Sequence, residues 1–129
     1  MSTAFLKQIH PVLPVRNVMN SIQYYVEKLG FNLVFKDAGD HPSYAGVVRD
    51  GIEIHLQWHG ESDWLEGRNG VLLKIYVEDI EDLFEDYKTQ FVFHEQTVLR
   101  NTAWGTREFG FYDIDKNGLV FYRNFRSLE

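Results

Sequence analysis

The chain has 129 residues, no cysteine, 44% hydrophobic residues and a formal charge of −6 from 13 Lys and Arg against 19 Asp and Glu. That length sets one domain, or one domain built from two small repeated units, and the apolar content excludes global disorder. The missing cysteines exclude disulfide scaffolds, thiol nucleophiles and Cys-based zinc sites, and the acidic balance with scattered basic residues argues against nucleic acid. The start, Met1 to Lys7, lacks the long apolar run of a signal peptide, and no stretch approaches the ~20 apolar residues of a membrane span. A cytoplasmic protein that does not bind membrane is the expectation.

In chain order, Ile9 to Val15 predicts a strand and Asn17 the N-cap of a helix carrying Val18, Ile22, Tyr25, Val26 and Leu29 on one stripe. Leu29-Gly30 stops that helix. Three strands follow, at Asn32 to Phe35, Tyr44 to Arg49 and Ile52 to Trp58, the last two joined by the tight-turn pair Asp50-Gly51. Gly60 to Gly70 reads as a linker. A shift of 62 residues then repeats the pattern: Val15 falls on Val77, Asn17 on Asp79, Val18 on Ile80 and Tyr25 on Tyr87. The second unit predicts a strand at Val71 to Val77, a helix capped by Asp79, and strands at Phe91 to Glu95, Arg107 to Tyr112 and Leu119 to Asn124. Asn117-Gly118 is expected to close the final hairpin as Asp50-Gly51 closes the first. The acidic run Glu78, Asp79, Glu81, Asp82, Glu85 and Asp86 reads as the wet face of the second helix, with a field attracting a cationic ligand as the alternative.

Two strand-helix-three-strand modules, at about 5–59 and 70–126 with a linker at 60–69, predict a single α+β domain: a curved mixed sheet around a cleft, with helices on the outer face. Strand alternation sorts the side chains. Ile52, Ile54, Leu56 and Trp58 are expected in the core, as are Leu13, Val15, Leu73, Ile75, Val77, Leu119, Phe121 and Phe125. The opposite, concave face would carry His10, Val12, Pro14, Glu53, His55, Gln57, Leu72, Lys74, Tyr76, Val120, Tyr122 and Asn124. Such a mixture of aromatic and polar groups suits a ligand cleft, although a wet outer sheet face also reads polar. Trp104, in a loop ending at Gly105, adds to the cleft reading.

The paired modules, with His10-Pro-Val-Leu-Pro-Val-Arg-Asn17 opening the first, resemble the vicinal oxygen chelate superfamily of glyoxalases, extradiol dioxygenases and fosfomycin- and bleomycin-resistance proteins. Pro11-Val12-Leu13, Tyr24-Tyr25, Leu29-Gly30-Phe31 and Ala45 to Asp50 resemble the first half of a bleomycin-binding protein. Trp104-Gly-Thr-Arg-Glu-Phe109, Asp113-Ile-Asp-Lys-Asn-Gly118 and Phe121 resemble its C-terminal block. The resemblance spans nearly the whole chain.

It implies a homodimer that sequesters a drug-like or aromatic ligand, such as a bleomycin-type glycopeptide, in a cleft between subunits, without metal or other cofactor. Holding such a ligand calls for aromatic slabs, polar anchors and negative potential. The resemblance implies Phe35, Tyr44, Gln57 and Trp104 as ligand-binding residues, and the cleft face read from strand alternation adds His55, Lys74, Tyr76 and Tyr122. Phe35 and Tyr44 read equally well as strand core. Lys74 stands where the family places an aromatic, which puts a cationic drug in question and favours an anionic or neutral ligand. Trp58 is read as core, Trp64 as interface or lid, and Pro11 as part of an arm crossing to the partner.

In metal-using members four positions carry ligands. Here His10 matches the first, and Glu53 or His55 fills the second. Leu72 and Val120, at the other two, cannot ligate. His10, Glu53 and His55 would supply three ligands only if their strands lie side by side. The alternatives to sequestration are a metal-dependent lyase or dioxygenase, supported by His10, and a binding module for an unrelated metabolite.

Overall fold

The computed structural model describes residues 1–65 and 70–125; the linker positions 66–69 and the expected module end at 126 lie outside the described residues. The first unit runs β1 (Val12–Val15), α1 (Val18–Glu27), β2 (Asn32–Lys36), β3 (Tyr44–Arg49) and β4 (Ile52–Trp58). A short helix α2 (Glu61–Leu65) occupies part of the linker. The second unit runs β5 (Leu72–Tyr76), α3 (Ile80–Lys88), β6 (Arg100–Asn101), β7 (Thr106–Tyr112) and β8 (Gly118–Asn124).

The strands form two four-stranded mixed sheets of matching topology, β1-β4-β3-β2 and β5-β8-β7-β6. In each, the first strand runs parallel to the last and the remaining pairs are antiparallel. α1 packs on β2, β3 and β4, and α3 on β7 and β8. The stripe of α1 buries Val18, Ile22 and Tyr25 against Leu13, Val47, Ile54 and Leu56. The same apolar cluster includes Ile80, Tyr87, Phe109, Phe111, Leu119 and Phe121, so one core spans both units. Burying these side chains is the main favourable term in folding. Among the described residues no helix is long and apolar enough to cross a membrane.

Local chemistry explains where the elements begin and end. Asn17 caps α1, its side-chain oxygen accepting from the Asn20 N–H at 2.9 Å. Asp50 and Gly51 take positive φ, 50° and 80°, and make the tight turn between β3 and β4. Asp79 makes no side-chain cap: its ψ of 58° lies outside the extended region that aims a cap at the first turn. All six residues of the acidic run are exposed, as a wet helix face requires.

Several expectations are corrected. The strand expected from Ile9 begins at Val12. Phe91 to Glu95 is not a strand. Phe91 is left-handed (φ 59°), so the chain turns there, and Phe93 packs its ring on Phe84 and Phe109 at 5.0 and 5.6 Å. The pairing partner of β7 is instead Arg100–Asn101. Asn117-Gly118 does not repeat the first hairpin: Lys116 carries the positive φ of 64°, and Asn117 is fully buried. Trp58, at the end of β4, is 54% exposed, and Ile52, at its start, is also exposed. Both lie beyond the part of the strand that α1 covers. Phe125 is half-buried, and Pro14 is buried rather than on an open face because the turn after β7 closes over it.

That turn clasps the two units together. The Asn117 side-chain amide donates to the Pro14 carbonyl at 3.0 Å, and its oxygen accepts from the Val71 N–H at 2.9 Å. The Tyr25 hydroxyl donates to the buried Asp113 carboxylate at 2.7 Å. Burial and that carboxylate push the Tyr25 hydroxyl well above its ordinary pKa. Asp115 accepts from the Arg16 N–H at 3.0 Å, while burial raises its own pKa. On the α3 side, the Tyr87 hydroxyl donates to the Leu29 carbonyl at 2.8 Å, and burial pushes it up to about 12.

Candidate functional site

The face of the first sheet turned away from α1 carries a compact aromatic and polar cluster. In β4, Ile54 and Leu56 enter the core, so Glu53, His55 and Gln57 project to the other side. His55 lies opposite Gly46 in β3 and Val12 in β1. Gly46 in turn faces Phe35. The Phe35 ring occupies the space a side chain at Gly46 would fill, and any Cβ there would collide with the ring. Phe35 therefore lies flat across the sheet and meets His55 edge-on at 5.2 Å and Tyr44 in a stack at 6.1 Å. These contacts are made on the open face, so Phe35 and Tyr44 do not belong to the core.

The polar groups are wired around His55. Its Nδ1 is 2.8 Å from the Tyr44 hydroxyl, and its Nε2 is 2.7 Å from Glu53 Oε2. An ionised carboxylate only accepts, so His55 donates from Nε2 and accepts the Tyr44 hydroxyl proton at Nδ1. His10 stacks on His55 at 4.7 Å and sets its Nε2 3.7 Å from the same Glu53 oxygen. The Nδ1 of His10 lies 3.4 Å from the Glu53 carbonyl oxygen. His10 lies two residues ahead of β1, and the direct pairing of β1 with β4 brings it beside Glu53 and His55. The three ligand atoms lie within 4.8 Å of one another. Two imidazoles and a carboxylate at this spacing suit a divalent transition metal.

The second sheet carries a different cluster. Lys74 holds its ammonium 4.7 Å over the Tyr122 ring, and Tyr76 meets Tyr122 edge-on at 5.3 Å. Glu108 lies opposite Tyr122 in β7. Its carboxylate accepts from the Thr106 hydroxyl at 3.0 Å and pairs with Arg100 at 3.9 Å. Trp104 is 64% exposed on the loop before β7. Gln57 is exposed on the first sheet, opposite Tyr44 and Pro14.

Most of the expected site residues thus fall into two groups: His10, Phe35, Tyr44 and Glu53 gather around His55, and Lys74 and Tyr76 meet Tyr122, while Gln57 lies across from Tyr44 and Trp104 stands on the loop before β7. Grooves of about 1150 and 540 Å³ open elsewhere, beside Trp64, His94, Tyr112 and Asp115 and beside His41 and Trp58, and none of the expected ligand residues lines either one. Trp64 lies between His59, whose carbonyl accepts its N–H at 3.0 Å, and Arg16, whose guanidinium stands 4.0 Å over its ring. Sequence reading missed Gly46, which seats Phe35, and Glu108, which neighbours Tyr122. Strand alternation was the signal for Glu108. Gly46 had only the hint of a glycine inside a strand.

Paired strand-helix-three-strand modules, each with its helix on one sheet face and an aromatic–polar cluster on the other, define the class of fold. The model of the Glyoxalase/Bleomycin resistance protein/Dioxygenase superfamily matches residues 7–121, and the chain belongs to that superfamily. It is 28% identical to the bleomycin resistance proteins of Geobacillus stearothermophilus and Staphylococcus aureus, over 91% of this chain and 96% of each relative. Its fold matches that of a bleomycin-binding protein complexed with bleomycin (TM-score 0.74, 22% identity, 93% of this chain and 100% of that one). It also matches a glyoxalase-related enzyme from Clostridium phytofermentans (TM-score 0.76, 18% identity, 97% and 100%). At these identities the two structural matches establish the fold alone.

Proposed function

We propose that the protein sequesters a drug-like or aromatic small molecule, of which a bleomycin-type glycopeptide is the first to test. The observation that carries this reading is the Phe35–Tyr44–His55 cluster on the helix-free face of the first sheet. Phe35 and Tyr44 offer stacking surfaces, while His55 and Gln57 offer polar anchors. Kinship to proteins named for bleomycin resistance supports the ligand class.

The cleft is completed by a second copy of the chain. Phe5, Leu6 and Ile9 are 83%, 94% and 92% exposed, which favours an arm that packs on a partner. The open sheet faces, with Trp104 exposed on the loop before β7, would then become walls of an enclosed site. Tyr76 and Tyr122 add area to that site, and Lys74 is the group least suited to a cationic ligand.

Titration of the protein with bleomycin, followed by tryptophan fluorescence, tests the reading. Saturable quenching that weakens in Trp104→Ala, with the ligand recovered unaltered, is the expected result. An unchanged dissociation constant in Trp104→Ala would remove that residue from the site, and recovery of a modified ligand would contradict sequestration. The His10–Glu53–His55 cluster favours a second reading, the metal-dependent chemistry of other superfamily members.

A further inference from the structure

We propose that the open face of the second sheet is a binding wall for a zwitterionic aromatic molecule, which lays its ring over Gly110, its cationic group on Glu108 and its anionic group on Lys74. The proposal rests on the reading that the open sheet faces hold the ligand, and it names the chemical class that one of those faces selects.

The register of the sheet sets these groups side by side. One row of side chains crosses it as Tyr76, Tyr122, Glu108 and Arg100, and the adjacent row on the same face as Lys74, Val120 and Gly110. Lys74 and Glu108 are kept apart, because β8 lies between β5 and β7 and two strand spacings are about 10 Å. The Lys74 ammonium stands 4.7 Å over the Tyr122 ring and has no carboxylate partner among the described residues. The Glu108 side chain is only 12% exposed; one carboxylate oxygen accepts from the Thr106 hydroxyl at 3.0 Å, and the other is 3.9 Å from the mostly exposed Arg100. An ionised carboxylate has about four acceptor sites, so Glu108 keeps capacity for a further donor. Two anchors of opposite sign therefore stand on either side of Tyr122 without neutralising each other.

Comparison of the two sheets places the ring. The pairing Val12↔His55 in the first sheet corresponds to Lys74↔Val120 in the second. In that correspondence Gly46 falls on Gly110, Tyr44 on Glu108 and Gln57 on Tyr122. The Phe35 ring covers Gly46, whereas the atoms nearest a Cβ at Gly110 are the Leu119 carbonyl oxygen at 3.1 Å and Val120 Cγ2 at 3.2 Å, both from the paired strand rather than from a ring laid across the sheet. The flat seat that the first sheet fills with its own phenylalanine is thus open in the second, with Tyr122 and Val120 as its apolar floor. The exchange of Tyr44 for Glu108 sets a carboxylate beside that seat, and Lys74 supplies the opposite charge. A flat apolar surface with a few convergent polar groups suits a ring that carries a charge at each end.

The test uses three small probes: para-(aminomethyl)benzoate, with both charges, and benzylamine and para-toluate, with one each. Binding is followed by NMR titration of the methyl-labelled protein. The zwitterion is expected to bind about tenfold tighter than either single-charge probe, with nuclear Overhauser contacts from its ring protons to the Val120 methyls. Glu108→Gln should weaken the zwitterion and benzylamine about tenfold and leave para-toluate unchanged. Lys74→Met, which keeps the stem over Tyr122, should weaken the zwitterion and para-toluate and leave benzylamine unchanged. No saturable binding, a zwitterion no tighter than its halves, a ring remote from Val120, or equal losses for all three probes in both variants would overturn the proposal. If Glu108→Gln alters the circular dichroism of the parent, Lys74→Met decides, because Lys74 is exposed. A parallel titration with bleomycin separates this proposal from the reading beneath it. Saturation by bleomycin without the crossed pattern keeps sequestration and overturns the zwitterion wall. The crossed pattern without bleomycin binding supports the wall and removes the drug.

Discussion

The two modules share one topology and use their sheets differently. The first places His10, Glu53 and His55 where the second places Leu72, Gly118 and Val120. Hydrocarbon fills the second position: the Leu72 side chain lies so close to Gly118 that a Cβ there would sit 2.8 Å from it. The contrast reverses at the final hairpin. The first module turns through Asp50-Gly51 with no further role for the side chains in holding the units together. The second uses three buried residues of its turn, Asp113, Asp115 and Asn117, in a hydrogen-bond network that grips Tyr25, Pro14 and Arg16 of the first. A duplicated scaffold can therefore divide labour, with the histidine–carboxylate cluster in one copy and the clasp in the other.

The clasp is the sharpest place to break this division. Asn117→Ala leaves the Val71 N–H and the Pro14 carbonyl without their partner, and buried unpaired groups of this kind cost about 1–3 kcal/mol each. A loss of about 3 kcal/mol or more in denaturant unfolding is expected, whereas Asn17→Ala, which removes an exposed helix cap, should cost about 1 kcal/mol. Equal losses would mean that the clasp is no more than a local turn.

Tyr25→Phe comes next. It removes the hydroxyl donor from Asp113, which keeps the Asn117 amide at 3.2 Å, and about 1.5–3 kcal/mol should be lost. No change in unfolding free energy would show that Asp113 is held by the turn alone.

Gly46→Ala sharpens the other half of the comparison. The added methyl displaces the Phe35 ring from its seat over the first sheet, so ligand affinity should fall while the core remains intact. Unaltered affinity with a retained fold would take Phe35 out of the site. The corresponding residue face of the second sheet is probed by Lys74→Trp, which replaces the cation over Tyr122 with a stacking surface. Tighter binding of a cationic glycopeptide is expected, and no gain would mean that the cleft does not reach Lys74.

The smallest effect concerns pH. Burial raises the Asp115 pKa above its unfolded value, so the folded state takes up this proton first as pH falls. This group alone therefore makes stability rise on acidification through the window just above the ordinary aspartate pKa, and fall again towards neutral pH. Asp115→Asn should remove that component, with the Arg16 N–H still bonded to the side-chain oxygen. An unchanged pH profile would contradict the buried carboxylate. Glu81 acts in the opposite sense: its bonds to Arg123 and Arg107 lower its pKa to about 2, so its contribution is full above the ordinary glutamate pKa and is lost as pH falls from there through about 2.

Much of this architecture was legible in the sequence because local chemistry and tertiary packing agree there. Asn17, Gly30 and Asp50-Gly51 mark a helix start, a helix stop and a turn, and the alternation in β4 sorted Glu53, His55 and Gln57 from Ile54 and Leu56. The failures arose where packing overrode local pattern. Phe91 to Glu95 reads as a strand because it is aromatic, yet Phe93 serves the core from a turn. Asn117-Gly118 reads as a tight hairpin, yet Asn117 is buried to bond a strand more than a hundred residues earlier. The adjacency of His10 to Glu53 and His55 depends on a parallel pairing between β1 and β4, which no local pattern encodes.

The central claim, that this chain holds a small molecule without transforming it, is tested most directly by calorimetric titration of chelator-treated protein with bleomycin. Saturation at one ligand per chain, with a dissociation constant of about micromolar or tighter, near −8 kcal/mol, is the predicted result. A titration without saturable heat, repeated with the same outcome at a second temperature, would contradict the claim.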